Sequence, residues 1–211
     1  MKKILLVLCT CGSMIGMNLN AQTEGTREEL KFGIKAGINN SNVWDEEGQD
    51  FEADPKNGFA GGAYLSIPLG KYLGIQPEFI YSQKGFQAYG RAFGTDYSYV
   101  RTSNYIDVPI LIQFKPSEYI TLVGGPTYSY LTSQSDVWKY GTFSQEQYDE
   151  FDNSNLRKNT LGAVFGADIN VNHFVIAPRV GWDFQTNNGD GTSESPRYRN
   201  QWLQLTVGYR F

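Results

Sequence analysis

Eight segments of this chain alternate apolar residues with polar or small ones at a period of two, and the last of them stops on an aromatic. In that closing run Leu203, Leu205, Val207, Tyr209 and Phe211 share one face, while Gln204, Thr206, Gly208 and Arg210 share the other. Successive side chains of a strand point to opposite faces, so only strands can use such a repeat. The first two of the remaining seven segments place Phe32, Ile34, Ala36 and Ile38, then Phe59, Gly61, Ala63, Leu65 and Ile67, on their apolar faces. Leu73, Ile75, Pro77, Phe79 and Tyr81 follow, then Ile106, Val108, Ile110, Ile112 and Phe114. The second half continues with Ile120, Leu122, Gly124, Pro126, Tyr128 and Tyr130, and with Leu161, Ala163, Phe165, Ala167, Ile169 and Val171. Phe174, Ile176, Pro178, Val180, Trp182 and Phe184 complete the set.

The connections alternate as well. Gly70-Lys71-Tyr72, Pro116-Ser117-Glu118 and Asn170-Val171-Asn172 read as tight turns, whereas residues 40–57, 86–103, 132–158 and 186–199 read as long loops. Short turns on one rim and long loops on the other are the pattern of outer-membrane barrels, with the turns in the periplasm. The expected fold is therefore all-β: an eight-stranded antiparallel up-and-down transmembrane β-barrel over residues 31–211. Pro68, Pro77, Pro109, Pro126 and Pro178 fall inside the expected strands. Since proline lacks the N–H a ladder needs, they predict local bulges or breaks in pairing, and a soluble β-sandwich is the competing fold.

The amino-terminal end agrees with export. Lys2 and Lys3 precede a short, mostly apolar run over residues 4–17, and Leu19-Asn20-Ala21 ends on a small residue, which reads as a cleaved signal peptide over residues 1–21. A short periplasmic segment over 22–30 would then lead into the barrel. Thr10, Cys11, Gly12, Ser13 and Asn18 interrupt the apolar run and argue against a transmembrane helix. Both cysteines, Cys9 and Cys11, leave with the signal, so disulfides, thiolate metal sites and thiol nucleophiles are excluded from the mature chain. Loss of Lys2 and Lys3 moves the net charge from −4 to −6, a poor balance for nucleic-acid binding.

Charge decides which face meets lipid. Lys35, Lys84, Arg179 and Arg210, with Glu78, Asp107, Asp168 and Asp183, all alternate with the apolar positions. A narrow interior needs such balance because an unpaired buried charge costs several kcal/mol. The same face holds many glycines, which make room for long side chains in a lumen just wide enough to be filled. The apolar face is thus expected to face lipid, flanked by aromatic girdles.

Four stretches carry a family resemblance. Phe32-Gly33-Ile34-Lys35-Ala36-Gly37-Ile38-Asn39, Gly74-Ile75-Gln76-Pro77-Glu78-Phe79-Ile80-Tyr81-Ser82-Gln83-Lys84-Gly85, Tyr105-Ile106-Asp107-Val108-Pro109-Ile110 and Val207-Gly208-Tyr209-Arg210-Phe211 resemble the PorT-type outer-membrane β-barrel family. The resemblance spans nearly the whole mature chain, and it implies that prolines within strands are a family habit. It also implies an integral outer-membrane protein, porin-like in name, whose founding type assists a protein-secretion and gliding apparatus.

Catalytic chemistry has little to stand on. His173, the one histidine, lies beside a short turn and gives no geometry for a triad or a metal cluster. Asp45, Glu46, Glu47, Asp50, Glu52 and Asp54 invite a divalent cation or a cation bridge to lipopolysaccharide, but their spacing is not that of a calcium loop, so a solvated acidic loop is expected. Residues 187–191 read as a hairpin apex. Trp138, Tyr140, Phe143, Tyr148 and Phe151 make the third loop rich in aromatics, suited either to partner recognition or to a lid over the barrel mouth. Tyr209 and Phe211 resemble the terminal signal read by the barrel-assembly machinery. The expected function is a non-enzymatic scaffold or interaction protein at the cell surface, without cofactor or metal, its lumen plugged by paired charges. Its expected partners are outer-membrane lipid and lipopolysaccharide, the assembly machinery, and a surface or secretion-machinery protein. A small-solute or ion pore is the alternative.

Overall fold

The computed structural model describes residues 28–44, 53–92, 95–140, 143–149, 156–187 and 198–211. Its strands, in chain order, are β1 (Lys31–Trp44), β2 (Asp54–Pro68), β3 (Leu73–Ala92), β4 (Thr95–Phe114), β5 (Ile120–Tyr140), β6 (Phe143–Asp149), β7 (Asn159–Val171), β8 (Phe174–Asp183) and β9 (Arg199–Arg210). They pair antiparallel in the order β4-β3-β2-β1-β9-β8-β7-β5-β6, and a further β4–β5 pairing joins the two sides. Eight strands therefore close into an up-and-down barrel, and β6 is an additional strand hydrogen-bonded to the far end of β5. The seam is the pairing of the first strand with the last, from Gly33 opposite Arg210 to Trp44 opposite Arg199.

The alternation sets the faces. Ile34, Ile112 and Leu205 are about half exposed at 50%, 64% and 49%, whereas Lys35, Gln113 and Gln204, next to them in sequence, are buried. The apolar side chains form an outer band and the polar ones fill the lumen. Phe32, Tyr72, Phe114, Tyr119, Phe174 and Phe211 ring the short-turn rim on the outside, while Trp44, Phe59, Tyr81, Tyr130 and Phe184 ring the other. These are the interfacial girdles of a transmembrane barrel.

Pro77, Pro109, Pro126 and Pro178 break the ladder without shifting it, whereas Pro68 stays paired opposite Gly74. Between β2 and β3 the pairing stops after Tyr64 opposite Glu78 and resumes at Ile67 opposite Ile75 in the same register, skipping Pro77. The same interruption flanks Pro109 and Pro126 between β4 and β5, and Pro178 between β7 and β8. Register shifts occur elsewhere, between Pro55 and Ala60 and between Asn104 and Tyr105. One break has a visible compensation. Phe184 N–H donates to Leu161 C=O, so the alternation of an antiparallel ladder assigns Ala167 C=O a donor from residue 178, a proline. Arg179 Nη1 donates to that carbonyl at 2.6 Å instead.

Two expectations about connections change. Residues 86–92, 95–103, 132–140 and 143–149 are strands, not loops, because β3, β4 and β5 continue past the barrel and carry β6 with them. The turn placed at 170–172 is the two-residue loop Asn172-His173, since Val171 pairs with Phe174. Asn172 takes the left-handed conformation there, with φ 54°, which asparagine tolerates better than most residues. The signal segment at 1–21 and the acidic residues Asp45, Glu46, Glu47, Asp50 and Glu52 lie outside the described residues, as do 188–191; Asp54 begins β2.

Candidate functional site

The lumen gathers side chains from all parts of the sequence. Lys35 on β1 donates to Glu78 Oε2 at 2.6 Å, reaching across β2 to β3. Glu78 Oε1 accepts from Gln76 at 2.7 Å and lies 3.7 Å from the Arg179 guanidinium. Arg179 also donates to Asp168. Higher in the lumen, Lys84 Nζ lies 3.2 Å from Asp107 Oδ1 and 3.1 Å from Oδ2. The same ammonium sits 3.6 Å from the centre of the Trp202 ring and 4.8 Å from that of Tyr105, placing a cation on two aromatic faces.

Two of the eight charged positions stand apart from these pairs. Asp183 accepts from Asn200 at 2.7 Å rather than from a cation, and its Oδ1 has no hydrogen-bond partner among the described residues. Arg210 is at the short-turn rim, donating to Asn170 Oδ1 at 2.8 Å and Asn172 C=O at 3.0 Å. An apolar group, Leu111, Val123, Val164 and Trp202, shares the interior. Space for the largest rings comes from glycine. A Cβ on Gly33 would lie 2.4 Å from the Tyr64 ring, and one on Gly181 would lie 2.4 Å from the Trp202 ring.

Beyond the barrel, the extended strands carry a second cluster. Val43, Phe86, Tyr99 and Tyr198 are buried together over the mouth. Arg101 holds Asp136 through two hydrogen bonds, at 2.8 and 2.5 Å, and its guanidinium lies within 6 Å of the rings of Phe86, Tyr99 and Tyr198. The aromatic cover is thus built chiefly from β3, β4 and the approach to β9. Of the third-loop aromatics, Trp138 is exposed and meets Tyr99 at a centroid distance of 4.6 Å. Tyr140, Phe143 and Tyr148 lie on β5 and β6, but their side chains, and all of Phe151, lie outside the described residues.

The terminal aromatics form a belt at the seam. Phe211 stacks on Phe32 at 5.9 Å and meets Tyr209 edge-on at 5.0 Å, while its N–H donates to Phe32 C=O. His173 stacks on Tyr209 at 5.5 Å, outside the lumen charges. Among the described residues no set of three or more His, Cys, Asp or Glu side chains is arranged to hold a metal ion.

A closed barrel with an apolar outer band, aromatic girdles and a packed polar interior defines an integral membrane protein. The chain belongs to the outer membrane protein beta-barrel domain family, whose model matches residues 20–187. It is accordingly an outer-membrane protein, with short turns to the periplasm and long hairpins outside. Among solved structures, the attachment invasion locus protein Ail of Yersinia pestis, in complex with the heparin analogue sucrose octasulfate, is similar at 17% identity and TM-score 0.50, covering 87% of this chain and 99% of that one. OprG of Pseudomonas aeruginosa is similar at 12% identity and TM-score 0.42, covering 90% and 99%. No curated relative matches the sequence.

Proposed function

We propose that this protein is a non-enzymatic scaffold at the cell surface, binding a protein partner through the sheet that β3, β4, β5 and β6 raise above the membrane. The observation that carries this reading is the length asymmetry of the barrel. β3, β4 and β5 run to 20, 20 and 21 residues, against 13, 10 and 12 for β7, β8 and β9. An excess of about eight residues is roughly 25 Å of strand. The sheet ends on β6, whose one pairing among the described residues is with β5, so its outer edge offers backbone groups to an added strand. The resemblance to PorT-type proteins supports a secretion-machinery component as the partner. Export through a cleaved signal over residues 1–21 belongs to the same reading.

In-cell crosslinking from Tyr89, exposed on β3 of the same sheet and outside the hairpin, tests it. Capture of a protein, abolished when residues 138–150 are deleted while heat-dependent gel mobility still reports a folded barrel, is the expected result. A barrel that leaks or collapses on that deletion, with no protein captured from the intact chain, would instead make the hairpin a lid.

A further inference from the structure

At the periplasmic rim the lumen opens into a recess of about 30 Å³ whose wall includes Lys31, Tyr64, Lys115, Glu118, Asp168 and Arg210. Three cations from distant parts of the chain converge there. Asp168 also lines the recess, paired from deeper in the lumen by Arg179. Glu118 and, just ahead of β1, Glu29 compensate only part of the positive charge. The floor adds none, because Gln113 Nε2 donates to Gln76, and Gln76 donates inward to Glu78 at 2.7 Å. Arg210 is anchored to Asn170 and Asn172, which fixes its charge at the opening. Burial, and after it the charge of Arg210, holds the Lys115 ammonium below its ordinary range. Tyr64, only 5% exposed, lines the same recess, and its hydroxyl has no hydrogen-bond partner among the described residues.

We propose that this recess binds an oxyanion, a single phosphate or carboxylate group entering from the periplasm, between Lys31, Lys115 and Arg210 with the Tyr64 hydroxyl as a neutral donor. Its size sets the class of ligand. A space of about 30 Å³ takes a group slightly larger than one water, so a terminal oxyanion enters while the rest of its carrier stays outside. The cations face the lumen rather than the lipid, which favours a soluble anion over a headgroup of the inner leaflet.

The test uses the full refolded chain, isotopically labelled in neutral micelles, titrated with inorganic phosphate at constant ionic strength. Saturable shifts confined to the amides near Lys31, Tyr64, Lys115 and Arg210 are expected. Lys115→Gln should weaken the apparent affinity at least tenfold, and Lys139→Gln, on the outer hairpin, should leave it unchanged. If Lys115→Gln loses the heat-dependent gel shift of a folded barrel, Lys31→Gln replaces it with the same expected loss. Shifts that never saturate, that chloride reproduces, or that survive the variant overturn the site. Nanodiscs distinguish the source: with no phosphate added, the amide positions should be the same in phosphatidylcholine and phosphatidylglycerol, and the phosphate-type shifts appearing in phosphatidylglycerol alone would overturn the soluble anion in favour of a lipid phosphate.

Discussion

Lys84 is where the upper lumen's interactions meet. Its ammonium touches Asp107 and Ser129 and lies against the rings of Tyr105 and Trp202, while the side chain is 1% exposed. Removing one partner of a buried ion pair leaves the other desolvated and unpaired, at a cost of about 3–5 kcal/mol. Lys84→Met keeps most of the volume but strands Asp107, so its unfolding free energy in urea, measured in lipid vesicles, should fall by about that amount. Exposed Lys139→Met should unfold like the parent chain. A Lys84→Met barrel as stable as the parent would mean that Trp202 and the apolar group around it hold this part of the interior without the charge. Parity along each strand puts Lys35, Glu78, Lys84, Asp107, Asp168, Arg179 and Asp183 on the inward face, and that much is readable from sequence. Trp202 and Tyr105 have the same inward parity, which was the available signal for two residues that charge counting passes over. Pairing is another matter. Lys35 meets Glu78 across an intervening strand, and Asp183 meets Asn200 instead of a cation, because contact depends on the height of each residue in the barrel, set by strand stagger. A period of two records the face and not the height.

The same distinction operates on whole strands. Residues 95–103, Thr-Asp-Tyr-Ser-Tyr-Val-Arg-Thr-Ser, lack a clean apolar face and so read as loop, yet they belong to β4. Above the bilayer no lipid demands an apolar side, so alternation fades while Tyr97, Tyr99, Val100 and Thr102 keep the composition of a strand. Within the bilayer the lipid enforces the pattern, and β9 shows it best. This strand closes the cylinder on β1, and Phe211, directly after it, donates its N–H to Phe32 C=O and stacks on the Phe32 ring. Loss of the Phe211 ring removes its contacts to Phe32 and Tyr209 at the seam, where the first and last strands close the cylinder. Phe211→Ala should therefore lower the folded, heat-shiftable protein in outer-membrane fractions several-fold, and Trp138→Ala, on the exposed hairpin, should not. Equal membrane levels of the two variants would remove Phe211 from any role in assembly.

At the scale of the molecule, the interior behaves as a core turned inside out: lipid covers the apolar surface and the polar side chains are packed against one another. Eight strands enclose a lumen that side chains can fill. Here Gln76, Lys84, Leu111, Thr127 and Thr206 are each 1% exposed or less. The space that a channel would need is taken at several heights, by the Glu78 cluster, by Lys84 under Trp202, and by the aromatic cover with Arg101 at the outer mouth. The periplasmic recess ends on the Gln76 and Gln113 amides and does not reach past the Glu78 cluster. Opening a path would require parting buried ion pairs, each at several kcal/mol, so thermal fluctuation alone would open it rarely. Refolded protein in planar bilayers should accordingly give no discrete single-channel steps. Arg101→Ala should not create them, because removing the outer cover leaves the ion pairs beneath intact. Stable unitary steps from the parent chain would establish the pore instead, and would require the charges at Glu78 and Lys84 to be separated by water during conduction.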